Sequence, residues 1–456
     1  MLLRFFAYML VAASVCIAEA SEKAAFRSQL LHHKLIQTNG KQHVPHIARA
    51  QASSTVMKSA KFLAPPSSRL QAEFRRIKGL KIANFFCGNP YEAIETLTQM
   101  HAKLIDSSAR QNVQVYLFTS ASMTAACQLS LSRFTSKTVS RANYPGLEII
   151  ELNTGGSMWF RDHTVSYLSD NRQRTSSPAV LPLAWGWFHD DAIEAFQKLQ
   201  SLSVTNATLL QSSFEVEGGN LIADSNGVCV SSARVLLTNN MSEQEVSNLY
   251  ANVYGCKKTI ILEMLPYEMT RHVDLFFSFA AEKTILLGMY SQKAGNDSFM
   301  VTQANRNKLK RELPHYRIVE VPMPSFCPVD ASGKPTDCAE TLRRECPFDK
   351  MKSQYNGGPE CSLRSLSKCN SYLVDSHFFS CVYPFGHVSR SHLNMFYMNG
   401  EVHVPTYAED SSVEQGAIRV IQSAIGVKRI ITHQVDAMAK LGGSLHCVTK
   451  EIPVDV

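Results

Sequence analysis

The chain carries a thiol, an imidazole and three carboxyl groups in short polar segments that each lead into an apolar stretch. They are Cys447 in GGSLHCVTK, His272 and Asp274 in HVDLFFSFA, Asp162 in WFRDHTVSYL and Glu217 in EGGNLIADSN. A cysteine and a histidine held within reach form a nucleophile with an acid/base partner. Several carboxylates around one thiol favour a cationic, planar substrate, because the donors of a guanidinium group match two carboxylate oxygens.

This set of residues predicts hydrolysis of a guanidinium group. The Cys447 thiolate attacks the guanidinium carbon, His272 protonates the departing ammonia, and water hydrolyses the thiouronium that remains with His272 as the base. Asp162 and Asp274 hold the guanidinium nitrogens. No metal or other cofactor is predicted, because no further ligands at a familiar spacing accompany His272 and Asp274.

A polar residue recurs at a regular spacing along the chain. Asp162, Glu217, His272, Asn394 and Cys447 are separated by 55, 55, 122 and 53 residues, so three of the four intervals agree. Short β-branched strands and amphipathic helices lie between them. Five such units around one axis would bring the polar segments together. The expected fold is therefore α/β, a five-bladed pseudo-symmetric propeller of ββαβ-type repeats.

The long interval coincides with residues 325–381, which hold six cysteines and are rich in Pro, Gly, Ser and charged residues. We interpret this segment as a disulfide-rich insertion whose cysteines can pair among themselves in any of 15 ways. Four further cysteines can form two pairs: Cys87, Cys127, Cys229 and Cys256. Those pairings leave Cys447 as the odd cysteine, and its alternative role is one half of a disulfide.

The first 20 residues are typical of a secretory signal, with Arg4, an apolar run and the cleavage site Ala18-Glu19-Ala20. The run is shorter than the roughly 20 apolar residues that cross a bilayer, although an uncleaved anchor is the alternative. The mature protein is predicted to be secreted or lumenal, with no membrane partner. Three Asn-x-Ser/Thr triplets are compatible with that route: Asn206, Asn240 and Asn296.

Residues 21–78 differ in charge from the rest of the chain. They hold eleven Lys/Arg and two Asp/Glu, whereas residues 79–456 carry a net charge of about −2. We interpret 21–78 as a basic propeptide or flexible arm, in which Arg75-Arg76 is a candidate processing site, and 79–456 as the catalytic domain. The body shows no basic-aromatic pattern, so no nucleic-acid partner is predicted.

Four motifs, in order and approximate spacing, resemble the agmatine deiminase and bacterial-type (Porphyromonas-type) peptidylarginine deiminase family. They are WFRD at 159–162, EGGN at 217–220, HVD at 272–274 and GGSLHCVT at 442–449. The family belongs to the guanidino-modifying enzymes with the pentein fold, and the resemblance covers roughly residues 79 to 454. It implies the roles given above for Cys447, His272 and the two aspartates. It also implies that Asn394 and Trp159 line the substrate site.

The chain departs from the family pattern at three places. The usual Gly-Pro after the first motif is Thr164-Val165, and Thr449-Lys450-Glu451 follows the nucleophile instead of a glutamine-rich stretch. The stretch 183–191, LAWGWFHDD, has neither of the two arginines with which the secreted bacterial enzyme binds its substrate's carboxylate. The expected partner is therefore a guanidino small molecule or an arginine-containing peptide, and the oligomeric state is left open.

Other readings follow from the same residues. An amidinotransferase shares the fold and much of the chemistry, an agmatine deiminase would serve putrescine biosynthesis, and a secreted binding protein could keep the fold without catalysis. A cysteine protease is disfavoured by the surplus of acids. Finally, His446 precedes Cys447 directly, and adjacent residues of a strand face opposite ways. His446 is therefore expected to be a neighbour of the nucleophile rather than the catalytic base, which is His272.

Overall fold

The structure is a computed structural model that describes residues 68–153, 156–170, 178–181, 189–212, 214–265, 268, 270–291, 296–324, 390–408, 411–426, 428–439 and 442–454. The predicted signal peptide, residues 21–67 of the basic arm and the insertion at 325–381 lie outside the described residues.

Within these ranges, 17 strands form five small sheets. The strands are β1 Ser68–Leu70, β2 Ile77–Ala83, β3 Gln114–Ser120, β4 Leu147–Leu152, β5 Ser166–Asp170, β6 Pro178–Leu181, β7 Thr208–Gln211, β8 Ile222–Ala223, β9 Val228–Ser232, β10 Lys258–Leu262, β11 Phe277–Ala281, β12 Thr284–Met289, β13 Arg317–Pro322, β14 Phe396–Met398, β15 Glu401–Thr406, β16 Arg429–Gln434 and β17 Thr449–Pro453. The predicted strands at 114–120, 147–152, 258–264, 316–322 and 428–435 are all confirmed, to within a few residues.

The same strand pattern occurs in every sheet. An antiparallel pair is followed, through a helix, by a strand parallel to the second member, as in β11–β12–β13 and β14–β15–β16. The sheets β5–β6–β7 and β8–β9–β10 repeat the pattern. In the fifth, the C-terminal strand β17 pairs antiparallel with β2, and β3 and β4 follow in parallel. The fold is thus mixed α/β and built from repeats, as the residue spacing predicts.

Nine α-helices occur in the described residues. They are α1 Glu92–Gln111, α2 Thr124–Ser132, α3 Phe160–His163, α4 His189–Ser201, α5 Arg234–Asn239, α6 Glu243–Tyr254, α7 Asn296–Glu312, α8 Ser411–Ile425 and α9 Asp436–Ala439. Helix α6 begins with the predicted capping box of Ser242 and Glu245 and ends at Gly255 in the left-handed conformation (φ 67°). None of the helices is long and apolar enough to cross a membrane.

Four apolar clusters fill the space between sheets and helices, and strands, helices and the turns between them all contribute members. Two disulfides, Cys87–Cys127 and Cys229–Cys256, join the four cysteines that the sequence assigns to two pairs. Cys447 is the free cysteine of the described residues.

The boundary predicted at residue 78 is placed too late. Strand β1 pairs antiparallel with β5, and β2 begins at Ile77, so residues 68–78 belong to the fold. Its positive charge alone assigned this segment to the arm. Backbone pairing and the contacts of the Glu73 carboxylate with Arg161 and His446 hold it in the fold. Removal of the residues before 68 stays a prediction.

Candidate active site

The five spaced polar residues occupy equivalent places, each just before the strand that begins one repeat of the strand pattern: β5, β8, β11, β14 or β17. Asp162 lies on α3 before β5, and Glu217 and His272 are the N-cap residues of single 3₁₀ turns before β8 and β11. Asn394 and Cys447 lie on turns before β14 and β17. The Asn220 amide oxygen accepts hydrogen bonds from the backbone of Ser232 (3.0 Å) and Val273 (3.1 Å). The Glu217 and His272 turns are thereby tied together.

Cys447 is buried and faces polar groups. Its Sγ lies 3.3 Å from Nδ2 and 3.4 Å from Oδ1 of Asn394, and 3.7 Å from Oδ2 of Asp274. Ser444 donates to Asn394 Oδ1 at 2.8 Å. A Cβ at Gly443 would lie 3.1 Å from Sγ and 2.5 Å from Cζ3 of Trp159. Glycine at this position therefore keeps the space between the thiol and the indole open.

The pKa of the Cys447 thiol is raised well above its ordinary value. Burial is the main cause, and the carboxylates of Asp274 and Asp162 add to it. In the free protein at neutral pH the group is therefore a thiol. A cation bound between the sulfur and the carboxylates would oppose both causes and favour the thiolate.

His272 is held by acids on both sides of its ring. Nε2 bonds Glu217 Oε2 at 2.5 Å, and Nδ1 lies 3.7 Å from Asp162 Oδ1. Arg234 donates to the same Glu217 oxygen at 3.0 Å. Burial lowers the pKa of His272, but Asp162 and Glu217 outweigh it and raise that pKa to about 9. The imidazole is therefore a cation at neutral pH and can donate a proton.

Asp162 and Asp274 approach one point beside His272. A Cβ at Gly219 would lie 2.7 Å from His272 Nδ1, 2.8 Å from Asp274 Oδ2 and 3.0 Å from Asp162 Oδ1. Gly219 instead donates its N–H to Asp162 Oδ1 at 2.9 Å. Burial raises the pKa of Asp162 to about 6, with His272 opposing the rise and Glu217 adding to it.

Two buried atoms at this point have no hydrogen-bond partner among the described residues: Oδ1 of Asp274 and Nδ1 of His272. The Asp274 side chain is only 1% exposed, and a buried carboxylate oxygen without a donor is unfavourable. A ligand with several N–H groups would satisfy it. No group of three or more metal-ligating side chains suited to a metal ion occurs in the described part of the chain.

The structure brings all seven predicted site residues together. Cys447, His272, Asp162, Asp274, Glu217 and Asn394 are joined by the contacts above, and Trp159 reaches the nucleophile through Gly443. Among the described contacts Asp162 does not pair with the adjacent Arg161. The Arg161 guanidinium is fully buried and bonds Glu73 (2.7 Å) and Glu451 (2.9 Å) instead.

The strand assumed at His446 and Cys447 does not form. Residues 445–448 form a turn rather than a strand, so alternation does not apply to them. His446 Nδ1 bonds Asp274 Oδ2 at 2.7 Å, the same oxygen that faces the nucleophile. The position of the Gly-Gly pair only three residues before His446 is a sequence signal for a turn that could have found this residue.

Comparisons with known proteins give the family and the fold. The model of the Porphyromonas-type peptidyl-arginine deiminase family matches residues 69–453. The agmatine deiminase of Medicago truncatula is 22% identical over 329 residues, which are 67% of this chain and 78% of that protein. Among solved structures, the C. jejuni agmatine deiminase superposes with a TM-score of 0.58 and 16% identity, covering 84% of this chain and 95% of the other. The Enterococcus faecalis agmatine deiminase gives 0.60 and 15%, covering 86% and 98%.

The chain has the mixed α/β fold of these solved structures, and that fold brings a thiol, an imidazole and several carboxylates together. The family match covers most of the chain. The protein belongs to the Porphyromonas-type peptidyl-arginine deiminase family and is a hydrolase acting on C–N bonds of amidines.

Proposed function

We propose that the protein hydrolyses a guanidino group to a ureido group with release of ammonia. The observation that carries the proposal is the pairing of a buried thiol with a cationic imidazole around a buried carboxylate whose Oδ1 has no donor among the described residues. A guanidinium group fits because its nitrogens can donate to Asp162 and Asp274 while its carbon faces Cys447.

The reaction proceeds in two halves. Binding of the cation favours loss of the thiol proton to solvent, and the Cys447 thiolate adds to the guanidinium carbon. His272 donates its proton to the leaving nitrogen, the C–N bond breaks, and ammonia departs from a covalent thiouronium. The now neutral His272 takes a proton from water, whose oxygen adds to the same carbon. Collapse of this adduct breaks the C–S bond, its hydroxyl proton passes to the departing sulfur to restore the thiol, and the ureido product leaves.

Substrate class is the next part of the proposal. Arginine in peptides or proteins is favoured over free arginine and agmatine, because a secreted enzyme meets polypeptides. The two disulfides of the described residues support an oxidising compartment and hence the predicted secretory signal. Agmatine is the second candidate, since the similar proteins of Medicago truncatula and Enterococcus faecalis are agmatine deiminases.

We also propose that the five sheets are the blades of a five-bladed α/β propeller that places the five polar turns around one axis.

Incubation of the purified protein with arginyl peptides, free arginine and agmatine, with assays for ammonia and ureido product, tests the activity. We expect product from at least one substrate and none from Cys447→Ser, which keeps the fold. An amine added as acceptor separates hydrolysis from amidino transfer, because transfer yields a new guanidine and no ammonia. Absence of product from all three substrates, with Cys447 free, contradicts the proposal and leaves a binding protein.

A further inference from the structure

Glu73 lies in the segment between β1 and β2 and contacts two groups under the site. Its Oε1 accepts a hydrogen bond from Arg161 Nη1 at 2.7 Å and lies 2.9 Å from His446 Nε2. The Glu73 side chain is 12% exposed and Arg161 is fully buried. Burial shields these contacts from solvent, so the charges interact more strongly than a surface pair.

His446 connects Glu73 to Asp274. The two ring nitrogens contact the two carboxylates, with Nδ1 to Asp274 Oδ2 at 2.7 Å. This contact engages Oδ2, the oxygen 3.7 Å from Cys447 Sγ, and leaves Oδ1 for a ligand. The rotation of the Asp274 carboxylate is therefore set by His446, and that of His446 is set by Glu73.

Arg161 fixes the main chain of the same turn. Its Nε donates to the His446 carbonyl at 2.6 Å, and its backbone N–H donates to the Cys447 carbonyl at 3.1 Å. Glu73 therefore joins the side chain of His446 to the residue that positions its backbone. Asp162 follows Arg161 directly in the chain. The residue that holds the Cys447 turn is therefore adjacent to one of the two aspartates proposed to bind the substrate.

The charges around His446 favour its protonated form. Burial and Arg161 lower the pKa of His446, but Glu73 and Asp274 outweigh them and the pKa is raised. Glu451 also faces this network through Arg161, and Lys450 contacts Glu451 at 3.5 Å. An imidazolium with both N–H groups donating to carboxylates has one fixed orientation, whereas a neutral ring can donate to only one of them.

We propose that Glu73 is a positioning residue of the deiminase reaction, acting through His446 on the Asp274 carboxylate. This inference rests on the proposed function. It also bears on maturation, since cleavage at Arg75-Arg76 would leave Glu73 on a separate fragment. Arg75 lies in contacts of its own, to Ser225 at 2.8 Å and Glu282 at 2.5 Å. On this proposal residues 68–76 belong to the working enzyme and are not removed with the leader.

The test compares Glu73→Gln with Glu73→Asp and with the control Glu282→Gln. Glutamine keeps the shape and an acceptor oxygen but not the charge, so the fold is retained. We expect kcat/KM to fall by on the order of 10- to 100-fold in Glu73→Gln. Glu73→Asp, which keeps the charge at a shorter reach, recovers part of the loss. The Glu282→Gln control removes an exposed ion pair of the same segment and leaves kcat/KM at the wild-type value.

A second readout does not need turnover. The His446 imidazole is titrated by NMR with labelled histidine, and His446→Asn identifies its signal. We expect Glu73→Gln to lower the His446 pKa, and Glu282→Gln to leave it unchanged. The rate of Cys447 alkylation by iodoacetamide is also measured against pH. We expect its pH dependence to shift in Glu73→Gln and not in Glu282→Gln, because an Asp274 carboxylate that is held less firmly alters the charge facing the sulfur.

The outcomes separate the two proposals. A wild-type kcat/KM together with an unchanged His446 titration in Glu73→Gln overturns the positioning role while the deiminase assignment stands. An inactive wild-type protein contradicts the proposed function, and the titration and alkylation measurements still decide whether Glu73 orients His446.

Discussion

Cys447 is surrounded by charges that suppress its own ionisation. Burial and the carboxylates of Asp274 and Asp162 raise its pKa, while the imidazolium of His272 is engaged by Glu217. The resting site is thus a thiol beside acids, and the positive charge that favours the thiolate has to come with the substrate. A neutral amide of similar shape lacks this charge, so the same residues that bind a guanidinium discriminate against neutral analogues.

The pH dependence of kcat/KM follows from two of these groups. Asp162 binds the guanidinium as a carboxylate, with a pKa of about 6, and His272 donates a proton as an imidazolium, with a pKa of about 9. We expect kcat/KM to rise through pH about 6 and to fall through pH about 9, as apparent values of the coupled pair.

Glu217→Gln tests the origin of that profile. Loss of the Glu217 charge lowers the pKa of His272 and also that of Asp162, because Glu217 raises both. Both limbs of the profile should move to lower pH. The control Glu95→Gln removes a surface pair with Arg133 and should leave both limbs in place. Limbs that do not move in Glu217→Gln exclude this electrostatic account.

Gly219→Ala should abolish activity while the protein stays folded. The added methyl group would enter the point at which His272, Asp274 and Asp162 converge, 2.7 to 3.0 Å from each. Activity assays and circular dichroism measure the two effects. Gly416→Ala is the matched control, because the nearest atom, Cγ of Pro322, is 3.7 Å away and alanine favours the interior of helix α8. Activity in Gly219→Ala close to that of the control contradicts the placement of substrate at this point.

The spacing of site residues was predictable from the sequence, and their supporting contacts were not. Each of the five spaced residues precedes the strand that begins one repeat of the strand pattern, so the repeat in the fold is visible as a repeat in the sequence. Glu73 is 88 residues from Arg161 and 373 from His446, and no local pattern relates them. The contact of His446 with Asp274 was not predicted, because the alternation of side chains along a strand does not apply to the turn at 445–448.

At the scale of elements, local chemistry explains where helices and strands start and stop. Helix α1 buries Ile94, Leu97, Leu104 and Ile105 on one face and ends at Asn112 in the left-handed conformation (φ 52°). Strand existence was predictable because β-branched runs are short and bounded by polar turns. The pairing of β17 with β2 was not, since it joins opposite ends of the chain.

Helix α6 offers a test of a local signal. Ser242→Ala removes the side-chain acceptor for the Glu245 backbone N–H, and we expect a loss of about 1 kcal/mol in the free energy of unfolding. Urea unfolding measures it, and kcat/KM should not change because the cap lies outside the site. Gln244→Ala, in the same turn, removes only a surface hydrogen bond to Asn248 and is the control. Equal losses in both variants contradict a specific role of the cap.

At the scale of the whole molecule, charge and fold divide the chain at different places. The positive charge belongs to residues 21–78, but the described fold already includes residues 68–78. Composition cannot locate this boundary, because β1 and Glu73 act through backbone pairing and two long-range contacts rather than through their own sequence pattern. Within the basic segment, Glu73 is one of only two acidic residues, and its contacts explain why it differs from its neighbours.

Two truncated chains test where the working enzyme begins. A chain beginning at Ser68, the first residue of β1, keeps β1, Glu73 and Arg75 and should have the kcat/KM of the full chain. A chain beginning at Gly79 loses them, leaves Arg161 with one carboxylate fewer and His446 with one free nitrogen, and should be inactive. Thermal unfolding of both chains shows how much of the loss is structural, since β5 loses one of its two pairing partners in the shorter one and keeps β6. Adding a synthetic peptide of residues 68–78 to the shorter chain should restore part of the activity, and the same peptide with Glu73→Gln should restore less. Full activity of the Gly79 chain without the peptide would mean that the enzyme does not need residues 68–78 and that the arm extends to residue 78.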